Sequence, residues 1–168
     1  MSFSLIPKYS FEKLTDISPE LLRSIGVKLL LLDLDNTVSP YGEKEPTREI
    51  LKWIGEMKAG GVTPFIVSNT KKPRAGVFAG KMGIGLIIHA RKPSPRGVIT
   101  ALGVNDCRES ETALVGDQIF TDTLAANRAG VTSILVEPIS FNYPWLRWRY
   151  WAELPFRLLA KNKFRKKQ

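Results

Sequence analysis

Five short apolar runs between Val27 and Val136 constrain this chain more than any other feature. Each is followed at once by a polar residue, and stretches with helical spacing separate them, which is the sequence form of a parallel sheet with crossover helices. The runs are Lys28–Leu34, Val62–Val67, Leu86–Ile88, Ala113–Val115 and Val131–Val136. The first is nearly all leucine, as a strand covered on both faces requires. Pro46 can open a helix that puts Ile50, Leu51, Ile54 and Met57 on one side and closes at Gly60-Gly61. Further helices are expected from Thr70 to about Met82, from Pro95 to about Leu102, and from about Asp122 to Ala129, where Gly130 is the cap. The expected fold is a three-layer, Rossmann-like α/β domain over residues 1–139 with a central parallel sheet of five strands, residues 1–26 being an N-terminal extension.

In open parallel sheets ligands bind beyond the carboxyl ends of the strands. Asp33, Asp35, Ser68, Lys92 and Asp117 lie at or just beyond the ends of apolar runs, so the fold can gather them at one edge. Composition narrows the chemistry available there. The chain of 168 residues has one cysteine, Cys107, which excludes an internal disulfide and a multi-thiolate metal site. It has one histidine, His89, which excludes a two-histidine zinc site. Any hydrolytic chemistry must therefore come from carboxylates and hydroxyls. Gly80-Lys81-Met82 lacks the spacing and hydroxyl of a P-loop, and Gly83-Ile-Gly85 follows a helix, so neither is a nucleotide signature.

In chain order the polar residues read Asp33-Leu-Asp35-Asn-Thr37, then Ser68-Asn69, then Lys92, then Gly116-Asp117-x4-Asp122. Singly, each is an ordinary turn or helix-capping device. Together and in this order they resemble the four motifs of the haloacid-dehalogenase-like (HAD) phosphatases, subfamily IIIA. The phrases Leu-Asp-Leu-Asp-Asn-Thr, Val-Ser-Asn-Thr, Ala-Arg-Lys-Pro and Gly-Asp-Gln-Ile-Phe-Thr-Asp are similar to the YqeG-type branch, which includes phosphatidylglycerophosphate phosphatases.

The resemblance implies a Mg²⁺-dependent phosphomonoesterase. Asp33 and Asp117 side chains with the Asp35 carbonyl would hold the ion. Asp33 would attack phosphorus to form an aspartyl-phosphate, and Asp35 would protonate the leaving oxygen and later deprotonate water. Lys92 would offset charge on the phosphoryl group, with Ser68, Asn69 and Thr37 completing the substrate site. Asp122 would support the metal or Lys92.

Little chain lies between the motifs, so no cap domain is expected and the site should be open to a phosphate on something large. The last segment bears on which. From residue 140 onward eight basic residues face the single acid Glu153, so +7 of the chain's net +9 lies there. Trp145, Trp148, Trp151, Leu158, Leu159 and Phe164 interleave with Arg147, Arg149, Arg157 and Lys161, and Pro144 and Pro155 are expected to divide the tail into two short helices. A basic, aromatic, amphipathic segment suits an anionic membrane surface. The expected substrate is therefore a phospholipid, and the expected place cytoplasmic and peripheral to a membrane, since no apolar run reaches spanning length. Leu5, Ile6, Tyr9, Phe11 and Leu14 are expected to extend that surface. The alternatives are an open-site phosphatase of proteins, nucleotides or sugars, and an RNA-binding protein with a secondary phosphatase core.

Overall fold

A computed structural model describes residues 4–164 other than Lys72, with side chains described as far as Ala160. Lys161, Lys163, Phe164, Arg165, Lys166 and Lys167, which complete the basic tail, lie outside the described side chains. The elements are β1 (Tyr9–Phe11), α1 (Pro19–Ser24), β2 (Leu29–Leu32), α2 (Arg48–Ala59), β3 (Thr63–Val67), α3 (Arg74–Met82), β4 (Gly85–Ile87), α4 (Arg96–Asn105), β5 (Thr112–Gly116), α5 (Leu124–Ala129), β6 (Thr132–Val136) and α6 (Pro144–Phe164). They form one parallel sheet in the order β1-β6-β5-β2-β3-β4.

The all-leucine strand β2 is central, and its alternation divides the core in two. Leu30 and Leu32 join Trp53, Ile54, Met57, Phe78 and Met82 under α2 and α3. Leu29 and Leu31 join Val98, Ala101, Leu102, Ala125 and Ala126 under α4 and α5. This is the three-layer arrangement the leucine run required. The helix after Pro46 begins at Arg48, because the Thr47 side chain accepts the Ile50 N–H and caps it.

Two expectations change. The sheet has six strands, because Tyr9–Phe11 pairs parallel with Ile134–Val136 at the edge. The N-terminal segment is thus built into the domain: Leu14, Ile17 and Leu22 lie in the core, and the Trp53 indole donates to the Ile17 carbonyl at 2.8 Å. Three residues of mixed polarity carry no strand periodicity of their own, and only the open edge of β6 makes them one.

The tail is one helix with Pro155 inside it, rather than two. Pro144 takes the first helical position, where its missing N–H costs nothing. Pro155 falls on the exposed side, where water can serve the carbonyl it leaves unpaired. Buried residues on both sides of it, Glu153 and Arg157, hold the helix against the domain. Only one helix and one strand lie between motifs in each interval, so no cap domain covers the carboxyl edge of the sheet.

Candidate active site

The carboxyl ends of β2, β3 and β5 place the motif residues in one buried cluster. Asp33 continues β2, its N–H donating to the Val115 carbonyl at 2.9 Å. The chain then turns sharply: Asn36 has φ of +69°, and Asp35 bridges to Ser39. The turn sends Thr37 back over the strand end, where its hydroxyl lies 3.3 Å from both Asp33 Oδ2 and Asp117 Oδ1. Asn36 ties this loop to the end of the domain. Its Nδ2 donates to the Ser140 carbonyl at 2.9 Å, and its Oδ1 accepts the Ser140 N–H at 2.9 Å.

Lys92 is the central cation. Its Nζ donates to Asp33 Oδ1 at 2.6 Å and to the Val67 carbonyl at 2.8 Å, and forms an ion pair with Asp122 Oδ1 at 2.7 Å. Burial alone would lower its basicity. Asp122 and Asp33 outweigh that and hold the ammonium charged. Asn69 anchors the lysine by its backbone, accepting the Lys92 N–H at 2.7 Å and donating to its carbonyl at 2.9 Å. Both ends of the Asn69 amide are thus engaged by protein. Ser68 is buried beside it, and its hydroxyl accepts the Thr70 N–H.

Asp122 reaches the cluster through the turn after β5. Its Oδ2 accepts the Gln118 N–H at 3.2 Å, and Gly116 leaves the room: a Cβ there would sit 2.3 Å from the Asp122 carboxyl carbon. Asp122 thereby commits one oxygen to the loop and one to Lys92. Burial, against the pull of Lys92, raises its carboxyl to about 6. Burial also lifts Asp117 well above the carboxylate range, with Asp33 and Asp122 adding to it and Arg157 opposing. Oxygens of Asp33, Asp117 and Asp122 lie within 4.8 Å of one another against one buried ammonium, a set short of positive charge. Hard oxygen donors at this spacing fit a divalent cation such as Mg²⁺.

Three contacts were not legible in the sequence. Arg74, the first residue of α3, pairs with Asp35 at 2.9 Å. Tyr41 lies at the rim, its hydroxyl pushed upward by burial and by Asp117, Asp33 and Asp35. Arg157, read above as part of a membrane-facing basic tail, is buried. Its Nη2 donates to the Asp117 carbonyl and to Glu153 at 3.0 Å, its Nη1 lies 3.4 Å from Glu137, and its guanidinium covers the Tyr150 ring at 4.5 Å. Glu153 in turn accepts the Phe120 N–H at 3.1 Å. The available signal was Glu153 itself, the only acid after residue 140, one helical turn before Arg157. His89 and Cys107 contribute nothing to this cluster.

Comparison with known proteins agrees with the geometry. The HAD-hydrolase-like family model matches residues 89–138, which include Lys92, Asp117 and Asp122. The probable phosphatase YqeG of Bacillus subtilis is 33% identical over 135 residues, 80% of this chain and 78% of that protein. The chain belongs to the HAD phosphatases, in the YqeG-type branch. As a HAD-type phosphatase it is a hydrolase of phosphoric monoesters. Phosphatidylglycerophosphate phosphatase 1 of Arabidopsis thaliana is 30% identical over 149 residues, covering 81% of this chain and 42% of the plant protein. Among solved structures, an uncharacterized protein from Listeria monocytogenes superposes with a TM-score of 0.57 at 16% identity, over 70% of this chain and 84% of that one. The cobalt-bound deoxy-D-mannose-octulosonate 8-phosphate phosphatase of Haemophilus influenzae gives 0.55 at 11% identity, over 66% and 68%. These two likenesses concern the fold.

Proposed function

We propose that this HAD phosphatase works through an aspartyl-phosphate on Asp33 and that its substrate is phosphatidylglycerophosphate presented at an anionic membrane. The arrangement of Asp33 carries the chemistry: a buried carboxylate held by Lys92 on one oxygen and by Thr37 on the other, two residues from a second carboxylate. A carboxylate oxygen of Asp33 forms a bond to phosphorus while the ester P–O bond breaks, and Asp35 gives its proton to the departing oxygen. Asp35 then takes a proton from water as the water oxygen attacks phosphorus, releasing inorganic phosphate and restoring Asp33. Lys92 stays charged throughout and stabilises the transferring group. Asp33, Asp117 and the Asp35 carbonyl would hold Mg²⁺, which when bound supplies charge to offset the phosphate dianion.

The lipid reading rests on the open sheet edge, on relatives named as phosphatidylglycerophosphate phosphatases, and on the outer side of α6. Leu146, Glu153, Arg157 and Ala160 of that helix face inward and are buried. Trp148, 78% exposed, Trp151, Leu158 and Leu159 form an apolar stripe on the opposite side, beside Arg147. Aromatic side chains with flanking cations suit the headgroup boundary of a bilayer. No described helix is long and apolar enough to cross a membrane.

The test is phosphate release from phosphatidylglycerophosphate in anionic vesicles, set beside a water-soluble ester. Asp33→Asn should abolish both activities and the acid-stable labelling of the protein by phosphate. Trp148→Ala with Trp151→Ala should lower only the vesicle activity and vesicle binding. Undiminished turnover by Asp33→Asn would sink the covalent mechanism, and equal loss on both substrates by the tryptophan variant would sink the membrane assignment.

A further inference from the structure

The group that departs from phosphorus must leave past Asp35, and Asp35 does not stand there alone. Arg74 donates from Nη1 to Asp35 Oδ1 at 2.9 Å and from Nη2 to the Pro40 carbonyl at 3.4 Å. Its guanidinium lies 5.0 Å from the centre of the Phe78 ring, and its buried Nε has no hydrogen-bond partner among the described residues. The side chain is 13% exposed, so it reaches the site mouth without being surrounded by water. The carbonyl it holds belongs to the residue before Tyr41. That ring packs edge-on to Tyr143 at 5.8 Å and to Trp145 at 5.6 Å, forming an aromatic wall that begins at the residue after the carbonyl Arg74 holds.

A largely desolvated cation behind the leaving oxygen helps little when the departing alcohol is neutral. It helps greatly when that alcohol carries an anion of its own, because charge-assisted hydrogen bonds strengthen away from bulk water. We propose that Arg74, against the Tyr41 wall, is the subsite for a phosphodiester anion carried on the leaving group. This rests on the assignment of Asp33 and Asp35 above, and it deepens the lipid reading. In phosphatidylglycerophosphate the leaving alcohol bears such a diester three carbons from the scissile oxygen, so one cation next to Asp35 can meet it while Lys92 serves the monoester. The two phosphates are thereby told apart by two different cations, Lys92 buried among carboxylates and Arg74 at the rim. Arginine suits the second task, since its planar fork can keep one N–H on Asp35 and offer others to the diester.

The experiment compares the full chain on two monomeric substrates, dihexanoyl-phosphatidylglycerophosphate below its micelle concentration and phenyl phosphate, so that no membrane enters. The native chain should favour the diester-bearing substrate. Arg74→Gln should reduce the ratio of the two kcat/KM values by about 10- to 100-fold, the factor that one hydrogen bond to a charged group contributes. Arg74→Lys should restore part of it. As a second measurement, glycerophosphoglycerol, which has the diester and no monoester, should inhibit phenyl phosphate hydrolysis by the native chain and by Arg74→Lys, and lose that inhibition in Arg74→Gln. Equal loss on both substrates would overturn the proposal and leave Arg74 a positioning residue for Asp35. A native chain that cleaves phenyl phosphate without favouring the diester substrate would overturn the proposal together with the lipid reading, whereas a native preference unchanged in Arg74→Gln would overturn the proposal alone.

Discussion

Two buried ion clusters meet at Asp117, one on its side chain and one on its backbone. On the strand-end side, three carboxylates, Asp33, Asp117 and Asp122, lie together, and Lys92 pairs with Asp33 and Asp122. On the α6 side, Arg157 is surrounded by Glu153, Glu137, the Asp117 carbonyl and the Tyr150 ring, and Glu137 also accepts from the Tyr150 hydroxyl at 2.9 Å. The first cluster buries carboxylates beside one another: burial above all, with their mutual repulsion adding to it, makes Asp117 and Asp122 hold protons more tightly than usual. In the proposed function this surplus of negative charge is what a divalent cation and a phosphoryl group would meet. The second distributes its hydrogen bonds around a cation and two helix–loop contacts, so it fixes the loop after β5 in place. A buried ion group can thus be a reactive site or a brace, and what separates them is whether charge is left over.

The largest effect should come from the reactive cluster. Lys92→Gln removes the ammonium that holds Asp33 and Asp122, and turnover of phenyl phosphate at saturating Mg²⁺ should fall by about 10²- to 10³-fold. Steady-state kinetics decides it, and a loss below tenfold would break the distinction between the clusters.

Arg157→Met strikes the brace instead. Leaving Glu153 buried without its partner should cost about 3 to 5 kcal/mol in urea unfolding. Replacing Glu153 by leucine in the same chain should recover part of that cost, since no bare charge then remains. The Asp117 carbonyl also loses a donor, so calorimetric titration of the folded variant should show Mg²⁺ affinity lowered by about 10- to 100-fold. Unchanged stability would show that α6 is not held through this residue.

An exposed pair marks the lower bound. Lys28 lies 2.7 Å from Glu111, and Arg108 lies beside the same carboxylate. Side-chain hydrogen bonds from Arg108 and Lys28 lower Glu111 to about 2. A depressed carboxylate contributes stability above its unfolded value of 4.5 and loses it as pH falls toward 2. Thermal melting should therefore show Glu111→Gln and the native chain converging at low pH, with only a small gap at neutral pH, smaller again in salt. A large or salt-independent gap would place this pair among the buried ones.

Much of the strand-end cluster was legible because several of its residues stand at the ends of apolar runs. Asp33 after the leucines, Ser68 after Val67 and Asp117 after Gly116 need only the rule that parallel strands end on one edge. Asn69 was placed correctly along the chain, but only folding engages its amide with the Lys92 backbone. Arg157 was misread because composition averages over a helix: a basic segment does not say which of its cations turns inward. Tyr9–Phe11 was missed for a related reason, since an edge strand of three residues borrows its order from its neighbour.

By itself, then, the sequence determined the layers of the fold, the central place of Leu29–Leu32 and the carboxylates that meet beyond it, because strand and helix periods are local and the edge rule is general. Tertiary structure alone decided the sixth strand, the continuous α6, and the partners of Arg74 and Arg157. Arg74 meets Asp35 and Arg157 meets the Asp117 carbonyl 39 and 40 positions away, Tyr9 pairs with Ile134 from the far end of the chain, and no local period encodes which residue crosses such a distance to find its partner.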